Sequence, residues 1–174
     1  NYIKTVGGVT FNGAARRGSG AKNSDGSSSG AGGSAWDFAL TATGDLIGVD
    51  GLSFGAGYGE AEQAEFTQTA GNTHDDEHFT GFINYSMGPV TVGYQVNESD
   101  GPAAANDLDF TAMGITYAVT DDFTIGYNTS ESDNANDSDV QEATTIGASY
   151  TSGGITVGGA MNSVDNVGFD ASAD

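Results

Sequence analysis

Charged side chains are missing from eight stretches of this chain: 38–44, 52–59, 79–87, 90–97, 110–119, 123–130, 143–151 and 155–164. Each is seven to ten residues long. That suits a tilted strand crossing a membrane and falls far short of the ~20 apolar residues of a membrane helix. The carboxylates gather between these stretches, at 60–65, 75–77, 98–100, 121–122, 131–142 and 165–174. A disordered acidic chain has no reason to keep its charges out of evenly sized windows.

Within the windows the side chains alternate with period two, the mark of a strand with two different faces. One face is apolar: Leu52, Phe54, Ala56 and Tyr58; Val90, Val92, Tyr94 and Val96; Met113, Ile115, Tyr117 and Val119. The other is small or polar: Thr91, Gly93 and Gln95; Thr124, Gly126 and Asn128; Thr156, Gly158 and Asn162. A water-soluble sandwich packs its apolar faces into a dense interior. Here 28 glycines and a hydrophobic content of 37% leave little from which to build one. Tyr and Phe recur near the ends of the apolar face, as expected where that face meets lipid and the polar face meets water.

Short links at 48–51, 87–89, 120–122 and 152–154 alternate with long ones at 18–34, 61–76, 98–106 and 131–139. Short turns at one end and long polar loops at the other are the habit of outer-membrane barrels. An internal repeat sets the register. Gly7-Gly8-Val9-Thr10-Phe11, Gly88-Pro89-Val90-Thr91-Val92 and Gly153-Gly154-Ile155-Thr156-Val157 each open a strand just after a turn. The pattern predicts an all-β, up-and-down antiparallel transmembrane β-barrel. Residues 1–174 are expected to form a single barrel domain with about nine complete strands and one fragment, as a piece of a longer barrel.

The 24 acidic residues against 4 Lys plus Arg give a net charge of −20. That balance argues against nucleic acid, whose backbone needs a basic surface, and against an anionic membrane surface. With no cysteine there is no disulfide framework or thiol chemistry. Gly26-Ser27-Ser28-Ser29-Gly30 matches a nucleophile-elbow string but lies in a Gly/Ser-rich loop, without the strand-turn-helix setting the motif needs. The chain reads as no enzyme.

Candidate pore-lining residues on the polar face are Arg16, Asn12, Gln95 and Asn128. An arginine opposite carboxylates sets a transverse field that tunes ion selectivity; the alternative is that Arg16 and Arg17 are solvated at the start of a loop. Asp75, Asp76 and Glu77, and Asp133, Asp137 and Asp139, are weak Ca²⁺ candidates, because Ca²⁺ takes six to eight oxygen ligands. A solvated acidic loop is the better reading of both runs. His74 and His78 would share a face only on a helix. Trp36, Tyr58, Tyr85, Tyr94, Tyr117, Tyr127 and Tyr150 are placed to meet a membrane interface.

The run Gly114 to Tyr127, the run Gly147 to Val157 and Leu52-Ser53-Phe54-Gly55-Ala56-Gly57-Tyr58-Gly59 resemble alphaproteobacterial, Rhodobacter-type general porins of the Gram-negative outer membrane. The resemblance covers most of the chain as style and spacing. It implies a sixteen-stranded homotrimeric barrel in outer-membrane lipid and lipopolysaccharide, with a third loop that narrows the pore. Such a channel passes ions and small hydrophilic solutes and is biased toward cations by its carboxylates. No cofactor is implied beyond Ca²⁺ in the acidic loops. Two other readings fit the residues: a complete barrel of eight or ten strands with an adhesin or structural role, and a secreted acidic β-protein stabilised by calcium.

Overall fold

In a computed structural model, which describes residues 1–18, 33–62, 75–101 and 107–170, the chain is one ten-stranded antiparallel sheet. The strands are β1 Tyr2–Val6, β2 Val9–Arg16, β3 Ala35–Thr43, β4 Leu52–Ala61 and β5 Asp76–Met87. They continue with β6 Val90–Asp100, β7 Leu108–Ala118, β8 Phe123–Asn134, β9 Gln141–Ser152 and β10 Ile155–Asp165. Each strand pairs with its neighbours in sequence, in the order β1 to β10, so the meander is up-and-down with no crossover. Strands β1 and β10 stand at the two edges.

The repeat seen in the sequence is a hairpin device. Gly7 and Gly8 hold φ of +58° and +85°, and Gly153 and Gly154 hold +59° and +82°. Both central residues in the left-handed region is what a tight twisted hairpin demands. At the third hairpin Gly88 has φ +58° and Pro89 follows it, as the mirror-image type II turn allows. The repeated Thr then meets a hydroxyl across each hairpin: Thr5 with Thr10, Ser86 with Thr91, and Thr151 with Thr156, each at 2.9 Å.

The strands outrun the uncharged windows. β6 reaches Asp100 and β8 reaches Asn134, while β9 begins at Gln141. The uncharged windows mark the apolar part of each strand; ladder pairing continues past it into the polar strand ends. Residues 98–100, 131–134 and 141–142, expected in loops, are therefore strand.

The described residues form no packed interior. Among the described residues Ala42, 7% exposed, is the sole buried hydrophobic. The chain exposes 11239 Å², where a globular chain of 17.6 kDa exposes roughly 7,900 Å². The sheet is held by its backbone ladders and by side-chain pairs across neighbouring strands.

Candidate functional site

Directly opposed residues in an antiparallel pair lie on the same face, so the register assigns every strand side chain. One row reads Tyr85, Val92, Ile115, Tyr127, Ile146, Met161; it is apolar throughout. The row one step away on the other face reads Asn84, Gly93, Gly114, Asn128, Thr145, Asn162. On β7, Met113, Ile115 and Tyr117 are exposed while Phe110, Ala112 and Gly114 are half-buried. The apolar face is thus the convex one. Side chains from β5 to β10 line a single open hollow of about 850 Å³ on the concave, polar side, Asn84, Gln95, Asn128 and Ser149 among them.

The border of the apolar face slants across the sheet. Its last apolar residue toward the long loops is Trp36 on β3 and Tyr127 on β8. Followed through the register, Trp36 lies opposite Glu60, while the row of Tyr127 reaches Leu52. Those two positions are eight residues apart on β4. At ~3.4 Å per residue and ~4.8 Å per strand step, eight residues over five steps is a slant of roughly 45–50°. A level membrane crossed by strands tilted ~35–45° draws a border of this kind.

Glycines keep the concave face open. A Cβ at Gly93 would collide with Oδ1 of Asn84, and one at Gly55 would stand 2.7 Å from Cε1 of Phe82 and 2.9 Å from the Leu40 carbonyl oxygen. Asn84 and Phe82 therefore lean over the neighbouring strands at these glycines. Asn128 does the same over Gly114, donating from Nδ2 to the Met113 carbonyl at 3.2 Å.

Arg16, Asn12, Gln95 and Asn128 all fall on the concave face. They do not form one cluster: Asn12 is on β2, Gln95 on β6 and Asn128 on β8. Arg16 closes β2 opposite Ala35, one diagonal step from Asp37. Asp37 and His78 share the next row of the same face; His74 lies outside the described residues. Trp36, Tyr58, Tyr85, Tyr94, Tyr117, Tyr127 and Tyr150 all fall on the convex face. Trp36, Tyr58, Tyr94 and Tyr127 follow the loop-side border, and Tyr85, Tyr117 and Tyr150 lie nearer the tight turns. Trp36 stacks on Phe38 at 6.2 Å between centroids, with Tyr58 tilted against it at 5.5 Å. One cation interrupts the convex face, Lys4, opposite Phe11.

Among the described residues no three His, Asp or Glu side chains gather as a metal site. Asp76 and Glu77 are adjacent in β5 and point to opposite faces, while Asp75 precedes the strand. Asp133 is a β8 residue opposite Asp109, whereas Asp137 and Asp139 sit in the turn beyond it. Most strand carboxylates face outward above the apolar border, in opposed pairs: Glu60 and Glu77, Glu98 and Asp109, Glu131 and Glu142. The concave face also carries two rings absent from the sequence reading, Phe82 and Phe110. Counting in twos from Ile83 and Tyr85 assigns Phe82 to the polar side, a signal masked by its apolar neighbour.

A family profile described as Gram-negative porin matches residues 1–168. The chain belongs to the Gram-negative porin family. Its two-faced, slanted sheet has the alternation of faces that such barrels show. Comparison with curated proteins finds no match. Among solved structures the porin chain is similar to Salmonella typhi OmpF in complex with daunomycin, with TM-score 0.61 and 14% identity over 83% of this chain and 46% of that one. It is similar to OmpT, an outer membrane protein of Vibrio cholerae, with TM-score 0.60 and 18% identity over 94% and 52%. A porin refined at 1.8 Å resolution gives TM-score 0.61 and 20% identity over 95% and 56%. The chain thus spans about half the length of the structures it matches.

Proposed function

We propose that this chain is part of the wall of a water-filled outer-membrane channel through which ions and small hydrophilic solutes diffuse passively. The observation that carries the reading is the sheet with lipid-compatible residues on its convex face and, on its concave face, a hollow whose lining is rich in Thr, Asn, Gln, Ser and Gly, with Phe82 and Ala112 among the lining residues. Nothing need turn over: size is set by how far side chains reach into the lumen, and selectivity by the charges that face it. On the described strands those charges are Arg16, Asp37 and Asp76. The cation bias proposed here rests on Asp37 and Asp76 together with the loop carboxylates.

The Rhodobacter-type resemblance supports a full barrel of sixteen strands, assembled as a homotrimer in a lipopolysaccharide-bearing membrane. The test is to reconstitute the full-length protein in planar bilayers. Stepwise conductance rising with salt is expected. A protein that stays soluble and monomeric without detergent, and inserts no channels, would sink the proposal.

A further inference from the structure

A channel wall for undirected diffusion has no need of aromatic rings on its wet face, yet two are there. Phe82 on β5 lies opposite Gln95 on β6, and Phe110 on β7 lies opposite Asn97 on β6. All four share the concave face. Phe82 leans over the strip left clear by Gly55, its Cε1 2.7 Å from where a Cβ there would stand, and it helps to line the hollow. From the register, the two rings are two strand steps and two residues apart, about 12 Å between Cα atoms.

The ground between them is polar and held in place. Asn97 Oδ1 accepts from Thr80 Oγ1 at 2.6 Å and from Gln95 Nε2 at 3.2 Å. With that oxygen engaged twice, the Asn97 NH₂ group and the Gln95 carbonyl oxygen are the polar ends left to meet a solute. Apolar plates flanking a fixed amide donor and acceptor match one solute chemistry. A sugar ring presents C–H groups on its flat side and hydroxyls that both donate and accept around its edge. A simple ion gains nothing from the plates, and a flat aromatic gains nothing from the amides.

We infer that Phe82, Gln95, Asn97 and Phe110 form a subsite on the lumen wall for neutral pyranosides, spanning two linked sugar rings. It rests on the concave face lining a channel, and it adds a solute class to that reading. The subsite holds a sugar weakly, so that it slows and concentrates the solute without trapping it; conduction requires that binding be weak enough to leave.

The test uses the full-length protein in planar bilayers, with maltose and sorbitol added in turn at equal concentration. Maltose is expected to produce resolvable interruptions or excess noise in the open-channel current, and sorbitol none. Replacing both rings, Phe82→Ala with Phe110→Ala, should shorten the maltose residence time about tenfold, because each aromatic contact is worth roughly a factor of three to five. Phe82→Tyr, which keeps the plate, should leave it within about twofold. Open-channel conductance of each variant reports that the barrel has folded. Three results would overturn the inference: equal responses to maltose and sorbitol, an unchanged maltose response in the double alanine variant, or a stronger block by indole than by maltose. A protein that forms no channels removes the porin reading itself, and the subsite with it.

Discussion

Tyr58 donates its hydroxyl to Oε2 of Glu77 at 2.7 Å, joining β4 to β5 where the apolar border gives way to acidic residues. Glu77 stands directly opposite Glu60 and Asp100. Like charges in opposed positions work against a sheet, and the phenol relieves part of that cost by giving one carboxylate a donor. Tyr58→Phe should therefore lower stability by about 0.5–1.5 kcal/mol. Urea unfolding from lipid vesicles can be followed by fluorescence, because Trp36, the chain's single tryptophan, lies 5.5 Å from the Tyr58 ring. An unchanged midpoint would show that Glu77 is equally well served by water.

The two faces should respond oppositely to the same substitution. Met113→Arg puts a charge on the convex side, at a residue 56% exposed, and is expected to cost about 2–4 kcal/mol if that side is in lipid. Gln95→Arg, on the neighbouring strand but the concave side, should leave stability within ~1 kcal/mol and shift the reversal potential toward anions. Equal losses from both would mean that the faces are not segregated between lipid and water.

Wall glycines act as clearance. Gly93→Leu removes the space that Asn84 occupies, and both side chains must then stand into the lumen. Single-channel conductance should fall, with thermal stability changed less. Gly55→Ala differs, since the new methyl meets a carbonyl oxygen as well as the Phe82 ring; a loss of about 1–3 kcal/mol is expected from overpacking.

Arg16 and Asp37 share the concave face one diagonal apart. Arg16→Gln should raise cation preference and Asp37→Asn should lower it, both read from reversal potentials across a salt gradient. Raising ionic strength should shrink both effects, because exposed charges are screened within about 10 Å at 0.1 M. If Arg16 is merely solvated beyond the strand end, its removal leaves the reversal potential unchanged.

Much of this architecture is legible in the sequence, for a physical reason. Lipid and water each act on one side of a strand, and the pleat converts that into strict alternation. That is why Tyr94, Tyr117 and Tyr150 can be assigned to the convex face from spacing alone, and why Gln95 and Asn128 fall opposite them. The hairpins are readable too, because Gly7-Gly8 and Gly153-Gly154 have few other uses between alternating runs. What escapes is anything set by register between strands. Asp133 and Asp109 become neighbours through pairing across β7 and β8, which no local pattern encodes. Parts of the acidic runs that read as loops, at 98–100, 131–134 and 141–142, turn out to be strand ends, with Glu98, Glu131 and Glu142 on the convex face. Phe82 escapes for a related reason, since hydrophobicity alone says apolar side and its parity says the reverse.

The missing interior has a further consequence. In a globular protein a change at the active surface is felt through a shared core, so function and fold constrain each other residue by residue. Here a strand side chain touches either the lumen or the surroundings of the barrel, and the backbone ladder between them carries no side-chain contact from one to the other. The two faces are free to drift separately. A lineage can revise what passes through the wall without renegotiating its fit to the membrane, and the toll falls mainly on positions such as Gly55 and Gly93, where the wall's own thickness is at stake.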